Sequence, residues 1–354
     1  MKRAFCTLFD ARYLSRALAL YESLERHARD FVLYLFPFDE PARAALARLA
    51  LPHAVVVPLA EFEDAELLRA KAGRSPLEYF FTCTPSTILH VLDRFGAESC
   101  TYLDADTYFL GSPERLFDEM GADDVMLTEH RYAPRYDQSA RSGIYCVQFM
   151  PFRDTPNGRA ILRWWRNACL ESCELNPDAG KFGDQSYLND WPARFGGVHV
   201  LEHPGGGLAP WNLARYAFER GAGGAWTGFE ASTGRRFAPV FFHFHALRLW
   251  TSGRLQLTHA MYEVSEPALR LFYAPYVRHL DDVGRRLAAL GIGFDPHGRT
   301  EEPRRRLRER AALLLQRARE AAGLAVPNRN RVYELDELLR LDAGSGAPAG
   351  GAAP

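Results

Sequence analysis

Thr101-Tyr102-Leu103-Asp104-Ala105-Asp106 runs from an apolar stretch straight into two acids one residue apart. The apolar part reads as a short buried strand. In extended backbone, residues i and i+2 face the same side, so both carboxylates can converge on one divalent cation. Carboxylate oxygens suit Mg2+ or Mn2+, ions that commonly complete their shells with substrate phosphates. In open α/β sheets ligands bind beyond the carboxyl ends of strands, which is where these acids fall. A lone D-x-D is more often a pair of solvated acids in a turn, so its meaning depends on the rest of the chain.

Upstream, short apolar runs alternate with helical patterns, the mark of an α/β layered fold. Residues 4–8, 31–36 and 54–57 read as strands. Leu14, Leu18, Tyr21 and Leu24 recur at helical spacing and define an amphipathic helix ending near His27. Pro41 opens a helix where its missing N–H costs nothing, and Thr84-Pro85 reads as the cap and first turn of a helix through Asp93. Downstream, Ser112-Pro113-Glu114 and Thr155-Pro156 start further helices, the second containing Trp164 and Trp165. Residues 204–211 and 221–228 read as glycine-rich loops, and after about residue 264 the pattern turns helical.

Two further stretches carry chemistry. Val240-Phe241-Phe242-His243-Phe244-His245 is an apolar strand ending in imidazoles that share a face, followed by Arg248 and Arg254. Guanidinium groups there could make paired bonds to a diphosphate. The bland alternative is a satisfied core histidine, about as frequent for such a residue taken alone. Gly183-Asp184-Gln185-Ser186-Tyr187-Leu188-Asn189 places a carboxylate and an amide at the start of a short helix, where Asp184 could equally be an N-cap.

In this order and rough spacing, the strand with D-x-D, the D-Q-x-x-L-N and the strand with H-F-H resemble glycosyltransferase family 8. That family includes glycogenin and bacterial lipopolysaccharide galactosyl- and glucosyltransferases. The resemblance spans roughly residues 3–250. It implies a GT-A fold, a single Rossmann-like sheet that binds a nucleotide-sugar and is flanked by helices. It also implies that Asp104 and Asp106, with Leu103 and Ala105 beside them, hold Mn2+ (or Mg2+) and the donor diphosphate. His243 matches the third metal ligand, and His245 ranks second. Asp184 and Gln185 match the pair beside the donor's anomeric carbon, and Asn189 completes that motif. Thr7 through Tyr13 match the loop after the first strand, with Thr7 and Leu8 near the nucleotide and the Tyr13 ring on uracil.

Gly143-Ile144-Tyr145-Cys146 resembles the stretch lining the acceptor side, where the family usually has asparagine in the place of Cys146. Ala246 and Leu249 stand where the family's late motif has glycine and lysine, leaving Arg248 or Arg254 as substitutes. Thr84, Ser86 and Thr87 stand on the helix where relatives carry a basic residue toward the donor sugar.

The implied reaction is metal-dependent transfer of a hexose, with retention of configuration, from UDP-glucose, UDP-galactose or UDP-GlcNAc. The implied acceptor is a glycan, a lipid-linked acceptor or a protein, as in lipopolysaccharide or other cell-surface glycan biosynthesis. Retention could proceed through a covalent intermediate on Asp184 or Gln185, or by same-face attack. One rival, a sugar nucleotidyltransferase, needs a glycine-rich basic loop where this chain has Leu8-Phe9-Asp10-Ala11-Arg12. Another is a catalytically inactive sugar-binding or scaffold protein, which the intact acids and histidine argue against.

Composition sets the remaining bounds. The 354 residues are 47% hydrophobic and 25% charged, ordinary for a globular chain long enough to bury a substantial core. A formal net charge of −1 excludes a globally basic nucleic-acid binder. Of the 43 basic residues only Lys2, Lys71 and Lys181 are lysine, a bias typical of high-GC bacterial coding. The six cysteines are scattered through apolar segments and read as buried reduced thiols.

Asp10 ends the first apolar run too soon for a signal peptide, and no apolar stretch approaches the ~20 residues of a membrane span. The expected location is cytoplasmic. The expected organisation is a transferase domain over residues 1–264, a helical extension over 265–342 and a disordered tail over 343–354. The extension contains a segment from Arg304 to Arg319 with seven arginines. It reads as a solvated helix packing by its leucines, or as a peripheral contact with anionic lipid worth roughly 1 kcal/mol per basic residue.

Overall fold

The computed structural model describes residues 2–221, 223–303 and 331–343. The segment from Arg304 to Arg319 and the tail beyond residue 343 lie outside them. In chain order the strands that position the site are β1 (Arg3–Phe9), β2 (Phe31–Pro37), β3 (Ala54–Val56), β4 (Ser99–Leu103), β5 (Thr107–Phe109), β6 (Val125–Glu129), β7 (Tyr145–Cys146), β8 (Phe149–Arg153), β9 (Val198–Val200) and β10 (Phe241–His243). The helices that flank them are α1 (Leu14–His27), α2 (Pro76–Phe95), α3 (Pro156–Glu171) and α4 (Ala274–Ala289).

The central sheet runs in the order β9-β6-β8-β4-β1-β2-β3, with β7 paired to β6. Strands β1, β2, β3 and β4 are parallel, as are β6 and β9, while β8 is antiparallel to both neighbours. Helices cover both faces because both faces of β1 are apolar. Cys6 and Leu8 point into one cluster with Cys83, Ile88 and Val91 of α2 and Ile161 and Trp165 of α3. Phe5 and Phe9 point into the other with Leu14 and Leu18 of α1 and Val283 and Leu287 of α4. That alternation is the two-residue period of a strand. The expected α/β architecture, one mostly parallel sheet flanked by helices, is present.

The topology selects one end of the sheet. From β1 the chain steps outward to β2 and β3, then returns to lay β4 on the other side of β1. Strand order therefore reverses between β1 and β4, and an open sheet takes its ligand beyond the carboxyl ends at such a point. Asp10 follows β1 there, and Asp104 follows β4.

Two boundaries differ from the sequence reading, and one placement differs from what the resemblance implies. The helix expected to start at Thr84-Pro85 starts at Pro76, and Pro85 lies inside it. Ser75 and Glu78 form a reciprocal capping box: the Glu78 carboxylate accepts from Ser75 N–H at 3.0 Å, and Ser75 Oγ accepts from Glu78 N–H at 3.4 Å. An interior proline costs about 3 kcal/mol, and the burial of Cys83, Ile88, Val91 and Leu92 against the sheet outweighs it. Thr7 and Leu8 lie within β1, paired with Leu35 and Phe36, and the loop begins only at Asp10. Residues 221–228, read as a loop, include the start of strand Trp226–Glu230, which lies between Tyr216–Arg220 and Arg236–Phe237. Gly228 is required there because the ring of Phe237 lies 2.3 Å from where a Cβ would stand.

The C-terminal part also contributes a strand, Val332–Glu334, which pairs with Arg254–Gln256. All six cysteines are buried free thiols. No helix among the described residues is long and apolar enough to cross a membrane.

Ser75→Ala should lower the unfolding free energy by about 1 kcal/mol in urea denaturation, the usual value of an N-cap. A silent substitution would place the effective start of α2 further along, as the sequence reading had it.

Candidate active site

β4 ends at Leu103, and the next residues form a tight turn in which Thr107 N–H donates to Asp104 O at 3.0 Å. The two acids therefore converge through a turn, whereas the sequence reading relied on alternation along an extended strand. Asp104 N–H donates to Gln148 O at 3.3 Å, which ties the turn to the segment leading into β8. The chain leaves the turn as β5, which pairs antiparallel with β10 so that Thr107 faces His243. Phe244 N–H then donates to Asp106 O at 2.9 Å and locks this register.

His243 Nε2 lies 3.1 Å from Asp106 Oδ1 and 3.7 Å from Asp104 Oδ2. Its Nδ1–H donates to Gln148 Oε1 at 2.9 Å, so the other ring nitrogen faces the acids. Metal-binding histidines are usually oriented by such a partner on the far nitrogen. Two carboxylates and an imidazole, grouped around His243 Nε2, are donors that could hold a divalent cation.

The charges follow from burial and proximity. Burial alone would raise the Asp106 carboxyl, but the charge and hydrogen bond of His243 win and lower it to about 2. Burial disfavours a charged His243, yet Asp106 overrides it and raises the imidazole well above its ordinary range. Burial pushes Asp104 up to about 6, with His243 opposing and the like charge of Asp106 adding. The cluster thus favours positive charge at its centre.

Asp184 is buried at the N-cap position of the short helix Gln185–Leu188, but its side chain makes no capping bond. Burial pushes its carboxyl up to about 8; a hydrogen bond with Thr84 opposes this and the Asp104 carboxylate reinforces it. The Gln185 amide donates to Ser142 O, and Asn189 Oδ1 accepts from Ile144 N–H at 2.8 Å. Both bonds hold residues 142–144 against the D-Q-x-x-L-N segment. A side chain at Gly143 would press on Asn189, whose Oδ1 lies 3.0 Å from where a Cβ would stand, and the backbone there has φ +87°.

Other expected residues are arranged differently. Arg254, one of the two arginines considered for a diphosphate, is paired with Glu302 at 2.8 Å. Arg248 stands exposed on the short strand Arg248–Leu249. Thr7 is fully buried with its Oγ1 unbonded, and Leu8 packs in the core. Tyr13 is 40% exposed at the mouth of the site. His245 packs edge-on against Trp211 and His243, and burial pushes its imidazole down to about 3. Ala246 adopts φ +61°, the left-handed conformation that glycine takes most easily.

Two residues escaped the sequence reading. Gln148 was legible as a lone amide inside the apolar run 145–152. Arg16 was not, because its partners are remote: its guanidinium donates to His297 O at 2.8 Å and to Leu247 O at 3.1 Å. Arg16 is 3% exposed, lies 4.4 Å over the Tyr13 ring, and forms no ion pair among the described residues. Its charge helps lower the Asp106 carboxyl.

No family model matches the chain. The Bacillus subtilis (strain 168) "Uncharacterized protein YfnD" is 29% identical over 300 residues, covering 82% of this chain and 94% of that protein. Among solved structures, the galactosyltransferase LgtC in complex with donor and acceptor sugar analogs is 16% identical. That match covers 60% of this chain and 77% of LgtC, with a TM-score of 0.41. Mouse xyloside xylosyltransferase 1 is 14% identical over 59% of this chain and 87% of its own, with a TM-score of 0.40.

The raised Asp184 pKa makes stability depend on pH. Between about pH 4 and pH 8 the folded chain holds a proton that the unfolded chain has released, so stability falls as pH rises through that window. Asp184→Asn removes this loss. In chelator, its melting temperature should exceed that of the wild type by a margin that widens from about pH 4.5 to about pH 8. A margin independent of pH would contradict a buried, protonated Asp184.

Proposed function

We propose that this chain is a metal-dependent glycosyltransferase of the GT-A type that moves a hexose from a UDP-sugar to a glycan, lipid-linked or protein acceptor, with retention of configuration. The observation that carries the reading is the convergence of Asp104, Asp106 and His243 at the carboxyl end of β4, where strand order reverses. The carboxylates of Asp104 and Asp106 and Nε2 of His243 would hold the cation. Bound there, a divalent cation would offset the charge that builds on the departing diphosphate.

The chain's own residues do the rest. Arg16 is a buried cation without a carboxylate partner among the described residues, next to Asp106. A diphosphate supplies the anion it lacks, and a preorganised charge aimed at a leaving group is usually a large catalytic contribution. Tyr13 offers an aromatic face for the uracil, with Arg16 stacked on its ring. Asp184 and Gln185 stand for the reacting carbon. Burial is the main reason the Asp184 carboxyl sits high, and the Asp104 carboxylate adds to it. A cation held by Asp104 would cancel that addition, and an ionised Asp184 would face the positive charge that develops on the sugar.

The turn after β1 disfavours a nucleotidyltransferase. The Asp10 carboxylate accepts from Arg12 N–H at 3.0 Å, so an acid occupies the turn where such enzymes bind phosphate.

Asp104→Ala, Asp106→Ala and His243→Ala should each reduce Mn2+-dependent UDP-sugar hydrolysis by about a hundredfold or more. His245→Ala should be milder, and chelator should abolish turnover in the parent. Normal turnover by all four variants in chelator would end the metal-dependent reading. Arg16→Gln should weaken UDP binding in calorimetry about tenfold or more while leaving uridine binding nearly unchanged. Equal losses for both ligands would remove Arg16 from the diphosphate site.

A further inference from the structure

Of the six buried cysteines, Cys146 alone lies in the candidate metal site. Cys6, Cys83, Cys100, Cys169 and Cys173 are packed in the apolar layer between the sheet and helices α2 and α3. Cys146 sits at the end of β7, which pairs antiparallel with β6 so that Cys146 faces Thr128. Its side chain is 4% exposed, among Trp211, Tyr136 and Ala209. One ligand atom each from Cys146, Asp104 and His243 lies within 4.8 Å of the other two.

We propose that Cys146 Sγ is a protein ligand of this metal, so that the donor set is carboxylate, imidazole and thiolate. The inference rests on the metal-site reading above and deepens it. A thiolate is a softer donor than any oxygen and selects borderline ions such as Zn2+ and Co2+ over Mg2+ and Mn2+. On binding, the thiol proton and the proton on His243 Nε2 leave for the buffer, and an Sγ–metal bond forms. An asparagine at position 146 would offer only a hard amide oxygen, so a thiol there changes which ions the site prefers.

Co2+ provides a direct readout, because a thiolate on cobalt produces a sulfur-to-cobalt charge-transfer band in the near ultraviolet. Titrating the full chain with Co2+ should develop this band to one equivalent. Cys146→Ser and Cys146→Asn, each with an unaltered circular dichroism spectrum, should bind Co2+ without it. By competition with a chromophoric chelator, Zn2+ affinity should fall about tenfold or more in both variants, while Mn2+ affinity changes less. Asp104→Ala should weaken both ions. If Co2+ binds the wild type without the band, or Cys146→Ser keeps the band, Cys146 is no ligand, while the Asp104, Asp106 and His243 reading stands. If the wild type binds neither Mn2+ nor Co2+, the metal site itself fails, and this proposal with it.

Discussion

The pairing of β5 with β10 is the constraint on which the site depends. It is a ribbon of three residues a side, yet its register is held from both faces. Phe241 lies in the core beneath the main sheet, 5.3 Å from the ring of Phe149 and stacked on it. Phe242 lies in a different cluster, stacked on Phe272 at 4.3 Å. A slip of one residue would exchange these faces and leave both rings without their pockets. Burying two phenylalanines is worth roughly 1.5–3 kcal/mol each, enough to enforce one register. That register sets His243 against Thr107, beside Asp106.

Around this ribbon the chain concentrates groups that are costly to bury. Asp106, His243, Asp184, Gln148 and Arg16 are all buried or nearly so. An unpaired buried charge is destabilising unless a partner or ligand offsets it. Here His243 serves Asp106, and Gln148 serves His243, but the Gln148 Nε2 and the Thr7 Oγ1 are left unbonded. Ala246 adds backbone strain in the same neighbourhood. Strain and unmet polar groups gathered at the mouth of a sheet are what a binding site retains at the expense of stability.

Local order was legible where local physics dominates. The apolar runs around β1, β2 and β4 are strands because both faces of each must be buried, and the Leu14, Leu18, Tyr21, Leu24 stripe is a helix for the matching reason. Reading failed where two local signals competed. Thr84-Pro85 has the chemistry of a helix start, but Ser75 and Glu78 have it too, and only packing against the sheet decides that α2 runs through Pro85. Gly228 reads as a turn residue when its neighbour in space, Phe237, is not yet known.

The same division holds at the site. Residue types and order, two acids after a strand, an aspartate with glutamine, and a late histidine, are written in the chain and suggest metal and phosphate chemistry. Which of them meet is a matter of contacts between residues far apart in sequence, made by strand register and helix packing. Those contacts chose His243 over His245 as the neighbour of the acids and tied Arg254 to Glu302. They also brought in Arg16 and Gln148, neither of which has a motif, and set Cys146, read in the sequence as part of the acceptor side, beside Asp104 and His243. Sequence determines which side chains are available; the burial of Phe241 and Phe242 on opposite faces decides that His243 meets the acids.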